Sequence, residues 1–223
     1  MQYATARHNM IEQQIRPWQV PDQHTLDLLQ AIHREDFIPE AYKHLALADT
    51  CLPLSHDQIT LPPRVEARIM QGLAPQAHER ALEIGTGCGY LTALLASACD
   101  FVYSMDIHLE FTRHALQKLQ TAGLQNIDLV TRDGLQGWPE NSPYDVIAVT
   151  GSLPNYPVGL QQQLSPGGRL FVIVGHSPVM QATLVTRIDE HTFTREVLFE
   201  TDIPALTGSE QTTELNHQEI QHA

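Results

Sequence analysis

From residue 80 to residue 174 the chain repeats one pattern: a short, densely apolar run, a turn, then a longer amphipathic stretch. Residues 80–84 (RALEI) predict a strand that runs into a cluster of glycines, and 90–99 (YLTALLASAC) predicts a helix. The pattern continues with a strand at 101–105 (FVYSM), a helix at 108–121, a strand at 127–131 (IDLVT) and a strand at 144–150 (YDVIAVT). A short helix at 157–164, a turn at Gly167-Gly168 and a fifth strand at 169–174 (RLFVIV) follow. The stretches 181–188 and 193–200 predict two late, antiparallel strands. Parallel neighbours cannot be joined by a tight turn, so the intervening helices must return the chain along the outside of the sheet. The expected fold is therefore α/β: a Rossmann-like, doubly wound, mostly parallel sheet with right-handed crossovers, an antiparallel C-terminal strand and an N-terminal helical extension.

Before residue 80 the period changes. Met10-Ile11, Ile15, Leu26, Leu28-Leu29 and Ile32 stand at helical spacing, which predicts helix over 7–33 with a break at Arg16-Pro17-Trp18. Asp22 stands where an N-cap belongs. Residues 64–73 (RVEARIMQGL) predict a short amphipathic helix with Val65, Ile69 and Leu73 on one face. Past Gly208 apolar residues nearly cease, which predicts a disordered tail over 209–223.

Composition narrows the function classes. The net charge is −13 and only 13 of 223 residues are Lys or Arg. No basic cluster exists to neutralise a phosphate backbone, so a nucleic-acid partner is not expected. No apolar run reaches the roughly 20 residues of a membrane-spanning helix. The first residues also lack the basic-then-apolar order of a secretory signal, so no membrane partner and a cytoplasmic location are expected. Three scattered cysteines make no disulfide framework. Twelve histidines form no HxxxH pair, and no metal site is expected.

The chemistry lies in the turn Glu83-Ile84-Gly85-Thr86-Gly87-Cys88-Gly89. A strand, a Gly-x-Gly-x-Gly turn and a helix bring bare backbone to the carboxyl end of the sheet, where ligands bind in such folds. The nicotinamide fingerprint has a different spacing, Gly-x-Gly-x-x-Gly, and a carboxylate at Glu83 suits a pyrophosphate poorly. It suits a ligand with an ammonium group and a sulfonium: S-adenosylmethionine. Asp106 closes the second strand, where an acid can accept from ribose hydroxyls. Asp133-Gly134 closes the third, where the Asp can accept from an adenine amino group. Each has a plainer reading, since Asp106 could cap the following helix and Asp133-Gly134 could be a turn. Three acids at three successive strand ends favour the cofactor.

These residues resemble the protein-L-isoaspartate O-methyltransferase family from about Met10 to Gly175, and more weakly to Gly208. The motifs are ALEIGTGCGY (81–90), VYSMDI (102–107), RDGLQGWP (132–139), YDVIAVT (144–150) and LSPGGRLFVIVG (164–175), with MIEQQI (10–15) and HREDFIPE (33–40) in the first half. The Gly137-Trp138 pair is the most distinctive. The resemblance implies methyl transfer to the α-carboxylate of isoaspartyl residues in damaged proteins or peptides. It implies that Glu83, Gly85, Thr86, Gly87, Gly89, Asp106, Asp133, Gly134 and Thr150 surround S-adenosylmethionine. It also implies a division into a helical extension with the substrate-side loop (1–78), a cofactor-binding core (79–208) and the tail.

The chain departs from this family in the substrate half. The family usually carries Glu where Asp106 stands, so the charge is kept on a shorter arm. Where the family loop reads Gly-x-Gly-Gln-Thr-Ile-Ser-Gln-Pro, this chain has Ser55-His56-Asp57-Gln58-Ile59-Thr60-Leu61-Pro62-Pro63. Leu61 takes the place of the active-site serine. Thr60, one position earlier, is the candidate catalytic hydroxyl if the loop shifts by one. Ser152 and Asn155 are also unlike the family. Three readings stay open from the sequence: an isoaspartyl methyltransferase, a methyltransferase for another carboxylate or small molecule, and a non-catalytic S-adenosylmethionine-binding protein.

Overall fold

The structure, a computed structural model, describes residues 2–209. The expectation for the tail falls outside these residues, apart from Ser209. Seven strands form one sheet in the order β3-β2-β1-β4-β5-β6-β7. They are β1 (Arg80–Ile84), β2 (Phe101–Asp106), β3 (Ile127–Thr131), β4 (Tyr144–Leu153), β5 (Leu164–His176), β6 (Val179–Arg187) and β7 (Phe193–Thr201). The first five are mutually parallel, while β6 pairs antiparallel with β5 and β7 antiparallel with β6. Only β6 therefore runs against the rest, and the two last hairpins need no helix. Helices α4 (Tyr90–Ala98) and α5 (Leu109–Thr121) make the crossovers β1 to β2 and β2 to β3. The chain then turns back to place β4 on the other side of β1. The strand order reverses between β1 and β4, so their carboxyl ends open the crevice that this topology reserves for a ligand.

The helices that precede β1 pack against α4 and the sheet. Helix α1 (Gln2–Met10) passes into a π-helical turn at Ile11–Ile15 and a 3₁₀ turn at Arg16–Trp18. Pro17 lacks an N–H, and the helix ends there; α2 (Gln23–Ala31) begins afresh, with the Asp22 carboxylate accepting from Thr25 N–H at 2.7 Å. Helix α3 (Pro63–Leu73) starts on two prolines, which need no capping partner. The expected helix at 157–164 shrinks to α6 (Val158–Gln161), because β5 already begins at Leu164. Met10, Ile15, Leu29, Val65 and Ile69 share one buried cluster with Ala93, Leu94, Phe171 and Ala182 of the sheet and its helices. The extension and the sheet are joined by a common core, so the substrate-side loop between them is held from both ends.

Candidate active site

The crevice is an open cleft at the carboxyl ends of β1, β2 and β4. Its floor is Ile84, Gly85 and Gly87; Asp106 and Asp133 stand on one side, and Thr150 and Gly151 on the other. A smaller inner cavity shares Gly85, Gly87, Leu61 and Thr150 with the cleft and reaches Glu83, Thr86 and Tyr90.

Two glycines of the turn have separate tasks. Gly85 has φ +95°, and a Cβ there would stand 2.1 Å from Thr150 Oγ1. Thr150 Oγ1 lies 2.8 Å from Gly85 O and 3.0 Å from Ile84 O, so its single proton ties β4 to the turn. Gly85→Ala should therefore cost about 2 kcal/mol or more and weaken binding of S-adenosylhomocysteine, read by urea midpoint and calorimetry. Adding Thr150→Ala should recover the part due to the clash and none of the part due to φ. Gly89 serves packing instead: a Cβ on it would meet Ala115 Cβ at 2.9 Å, so it lets α4 approach α5. Gly134 likewise abuts Ile84 at 2.8 Å.

The three acids occupy different environments. Glu83 is fully buried, and its Oε2 accepts from Thr92 Oγ1 at 2.5 Å and Ser104 Oγ at 2.6 Å. Thr86 Oγ1 lies 2.7 Å from Ser104 Oγ and extends the chain of hydroxyls. Glu83 Oε1 has no protein partner among the described residues. Burial pushes the carboxyl up to about 8, against the pull of the Ser104 and Thr92 hydrogen bonds. A buried, unpartnered carboxylate oxygen beside a cavity is what an ammonium group would satisfy. Asp106 accepts from Gly87 N–H and from His108 N–H, each at 2.9 Å. Both its oxygens are thereby pinned, yet each keeps a lone pair for a hydroxyl donor. Helix α5 is not capped by this side chain, because its N-cap is His108. Asp133 accepts from Leu135 N–H at 2.9 Å and stands exposed at the cleft. These features fit the cofactor expected from the sequence.

The substrate-side loop meets the cleft through Leu61, not Thr60. Leu61, Ile59, Gln58 and Leu54 line the cleft. Thr60 is 3% exposed and its Oγ1 accepts from Leu52 N–H at 3.0 Å and from Arg34 Nη2 at 3.3 Å. Thr60 and Leu61 both line the inner cavity that reaches Glu83. Two loop residues have left-handed backbone, His56 with φ 58° and Asp57 with φ 55°. Glycine would be unstrained at Asp57.

The sequence analysis missed one wall of the cleft. Residues 203–207 (IPALT) form a strap across β4, with Ser152 N–H donating to Pro204 O at 3.0 Å and Leu206 N–H to Ser152 O at 2.9 Å. Their apolar character against polar flanks was the available signal. His108 and Phe111 at the start of α5 also line the cleft and carried no motif. Among the described residues, no group of three or more His, Cys, Asp or Glu side chains is placed to hold a metal ion, and no helix is long and apolar enough to cross a membrane.

A parallel sheet with this strand order, a glycine turn after β1 and acids closing β1, β2 and β3 define a nucleoside-cofactor enzyme of the methyltransferase class, with S-adenosylmethionine as its cofactor. The model of the protein-L-isoaspartate(D-aspartate) O-methyltransferase family matches residues 5–211, and the chain belongs to this family. A Myxococcus xanthus protein-L-isoaspartate O-methyltransferase is 40% identical over 156 residues, covering 70% of this chain and 74% of that protein. A Pelobacter propionicus protein of the same description is 35% identical over 205 residues, covering 92% and 91%. A solved protein-L-isoaspartate O-methyltransferase superimposes with a TM-score of 0.77 at 25% identity, covering 94% of this chain and 70% of that one. A Plasmodium falciparum structure, described as such an enzyme in complex with S-adenosyl-L-homocysteine, shares the fold with a TM-score of 0.76 at 18% identity, covering 92% and 98%.

Proposed function

We propose that this protein transfers a methyl group to the α-carboxylate of L-isoaspartyl residues in damaged proteins or peptides, in the cytoplasm. The observation that carries the reading is the family match along nearly the whole chain, which takes in the substrate-side loop as well as the cofactor turn. Three free cysteines suit a reducing compartment.

When bound, the cofactor supplies a methyl group on a sulfonium, a good leaving group. Glu83 would hold its ammonium, Asp106 its ribose and Asp133 its adenine, with Gly85, Thr86, Gly87, Gly89, Gly134 and Thr150 shaping the turn around it. A carboxylate with an ordinary pKa of about 4 is already ionised at neutral pH, so the acceptor needs no base. What the chain must provide is alignment and exclusion of water. Leu54, Ile59 and Leu61 on one side, and the strap 203–207 on the other, form apolar walls that do both. Thr60 acts in this reading as a positioning group, since its hydroxyl is engaged with Leu52 and Arg34.

Incubation with methyl-labelled S-adenosylmethionine and an isoaspartyl peptide should give a base-labile methyl ester. Thr60→Val should reduce the rate less than about tenfold, whereas loss of a catalytic hydroxyl would cost about a hundredfold or more. No ester above background, with S-adenosylhomocysteine still bound, would reject the isoaspartyl acceptor and point to another one.

A further inference from the structure

The turn from Leu54 to Ile59 walls the cleft, and its own hydrogen bonds, Leu54 N–H to Gln58 O at 2.8 Å and Gln58 N–H to Ser55 O at 3.2 Å, tie it to itself. Side chains fasten its tip to α5. The His56 and His108 rings stack with centroids 4.0 Å apart and planes 3° from parallel. Phe111 sets its edge against both, at 5.7 Å and 5.5 Å. His56 Nε2 lies 3.2 Å from Glu110 Oε2, and Ser55 Oγ donates to Glu110 Oε1 at 2.8 Å. The Ser55 hydroxyl and His56 hold the Glu110 carboxyl below the usual range. His56 and Asp57 both adopt a left-handed backbone that non-glycine residues disfavour. Such a shape persists only where surrounding contacts over-determine it. His108 and Phe111 are themselves walls of the cleft, beside Asp106.

We propose that His56 is a positioning residue that clasps the 54–59 turn onto His108 and Glu110 and so closes the Asp106 end of the cleft over the bound cofactor. The proposal rests on the cofactor assignment and is independent of the methyl acceptor.

The full chain is titrated with S-adenosylhomocysteine in a calorimeter, and amide exchange of residues 55–58 is followed with and without it. His56→Ala should weaken binding about tenfold near pH 7.5 and leave the turn unprotected in the complex. The unliganded protein should melt within about 2 °C of the natural one, because the clasp lies outside the core. His56→Phe keeps a ring on His108 without a charge. It should bind within about threefold of the natural protein, because the ring stack on His108 and Phe111 is kept. Natural affinity in His56→Ala, or binding by His56→Phe as weak as that of His56→Ala, would overturn the proposal.

Discussion

Replacing Arg34 by alanine is expected to lower the melting midpoint by about 10 °C and to free the substrate-side loop from the cleft. Arg34 is fully buried. It donates to Glu66 Oε2 at 2.8 Å, to Ala46 O at 2.5 Å, to Leu61 O at 2.7 Å and to Thr60 Oγ1 at 3.3 Å. Its guanidinium also stands 5.6 Å from the centre of the Tyr90 ring. Burial works against this cation, and Glu66, Cys88 and Tyr90 together hold its pKa above the ordinary value, so Arg34 stays charged. Truncation would strand a buried carboxyl and two backbone carbonyls. Losing one partner of such a pair costs about 3–5 kcal/mol, and a protein of this size melts about 2–4 °C lower per kcal/mol. Lysine should rescue little, because a point charge cannot serve four acceptors in a planar fan. Arg34→Met with Glu66→Leu removes both charges and should recover more than half of the lost stability. It should not recover methyl transfer, since Ala46 O and Leu61 O would still lack their donor and Leu61 would lose its place. Calorimetric melting and the ester assay check both statements, and a midpoint for Arg34→Ala within about 2 °C of the natural protein would refute the first.

The second large effect depends on pH. Glu83→Gln should be more stable than the natural protein at pH 8.5, and the advantage should fade as the pH falls towards 4.5. The buried Glu83 carboxyl sits at about 8, against an ordinary value of 4.5. Between those values the folded chain holds a proton that the unfolded chain has released. Stability therefore falls as pH rises through that window, and is lost fully once pH passes the folded value. At about 1.4 kcal/mol per pKa unit, the natural protein carries a penalty on the order of 5 kcal/mol on the alkaline side. Glutamine keeps an oxygen for Thr92 and Ser104 and never ionises, so its stability should be flat across the window. The same change should weaken S-adenosylhomocysteine binding by about a hundredfold, because a charged hydrogen bond to the ammonium is lost. In the natural protein that ammonium would favour the ionised carboxylate. Binding near neutral pH should then release about one proton, measurable by calorimetry in two buffers of different ionisation enthalpy. Equal melting of the two proteins at pH 8.5, with no proton release, would show that Glu83 is ionised from the start.

How much of this was legible differs from one part of the chain to another. The strands came through because each is a short apolar run bounded by turn residues, and their ends were read to within a few positions. The C-terminal hairpins blurred at the edges, since half-exposed strands such as β7 mix polar and apolar residues on both sides. The apolar spacing of helix α3 marks Val65, Ile69 and Leu73, and nothing in that pattern marks Glu66 as buried. It is buried because Arg34, distant in sequence, reaches it. Thr60 and Leu61 could be placed in an alignment, but the side each faces depends on where Arg34 and Leu52 N–H lie. The strap 203–207 and the histidine stack left no motif at all, because each is a meeting of segments far apart in the chain.

The glycine turn, the acids that follow β1, β2 and β3, the alternation of strand and helix, and the family that these motifs indicate were set by the sequence alone. They depend on local backbone geometry and on side-chain period, which act over a few residues. The burial of Glu83 that lifts its carboxyl, the inward turn of Thr60, the Arg34 hub and the His56 clasp were decided only by the tertiary structure. Each depends on low dielectric or on contact between remote segments, and neither exists until the sheet, the extension and the loops have packed together.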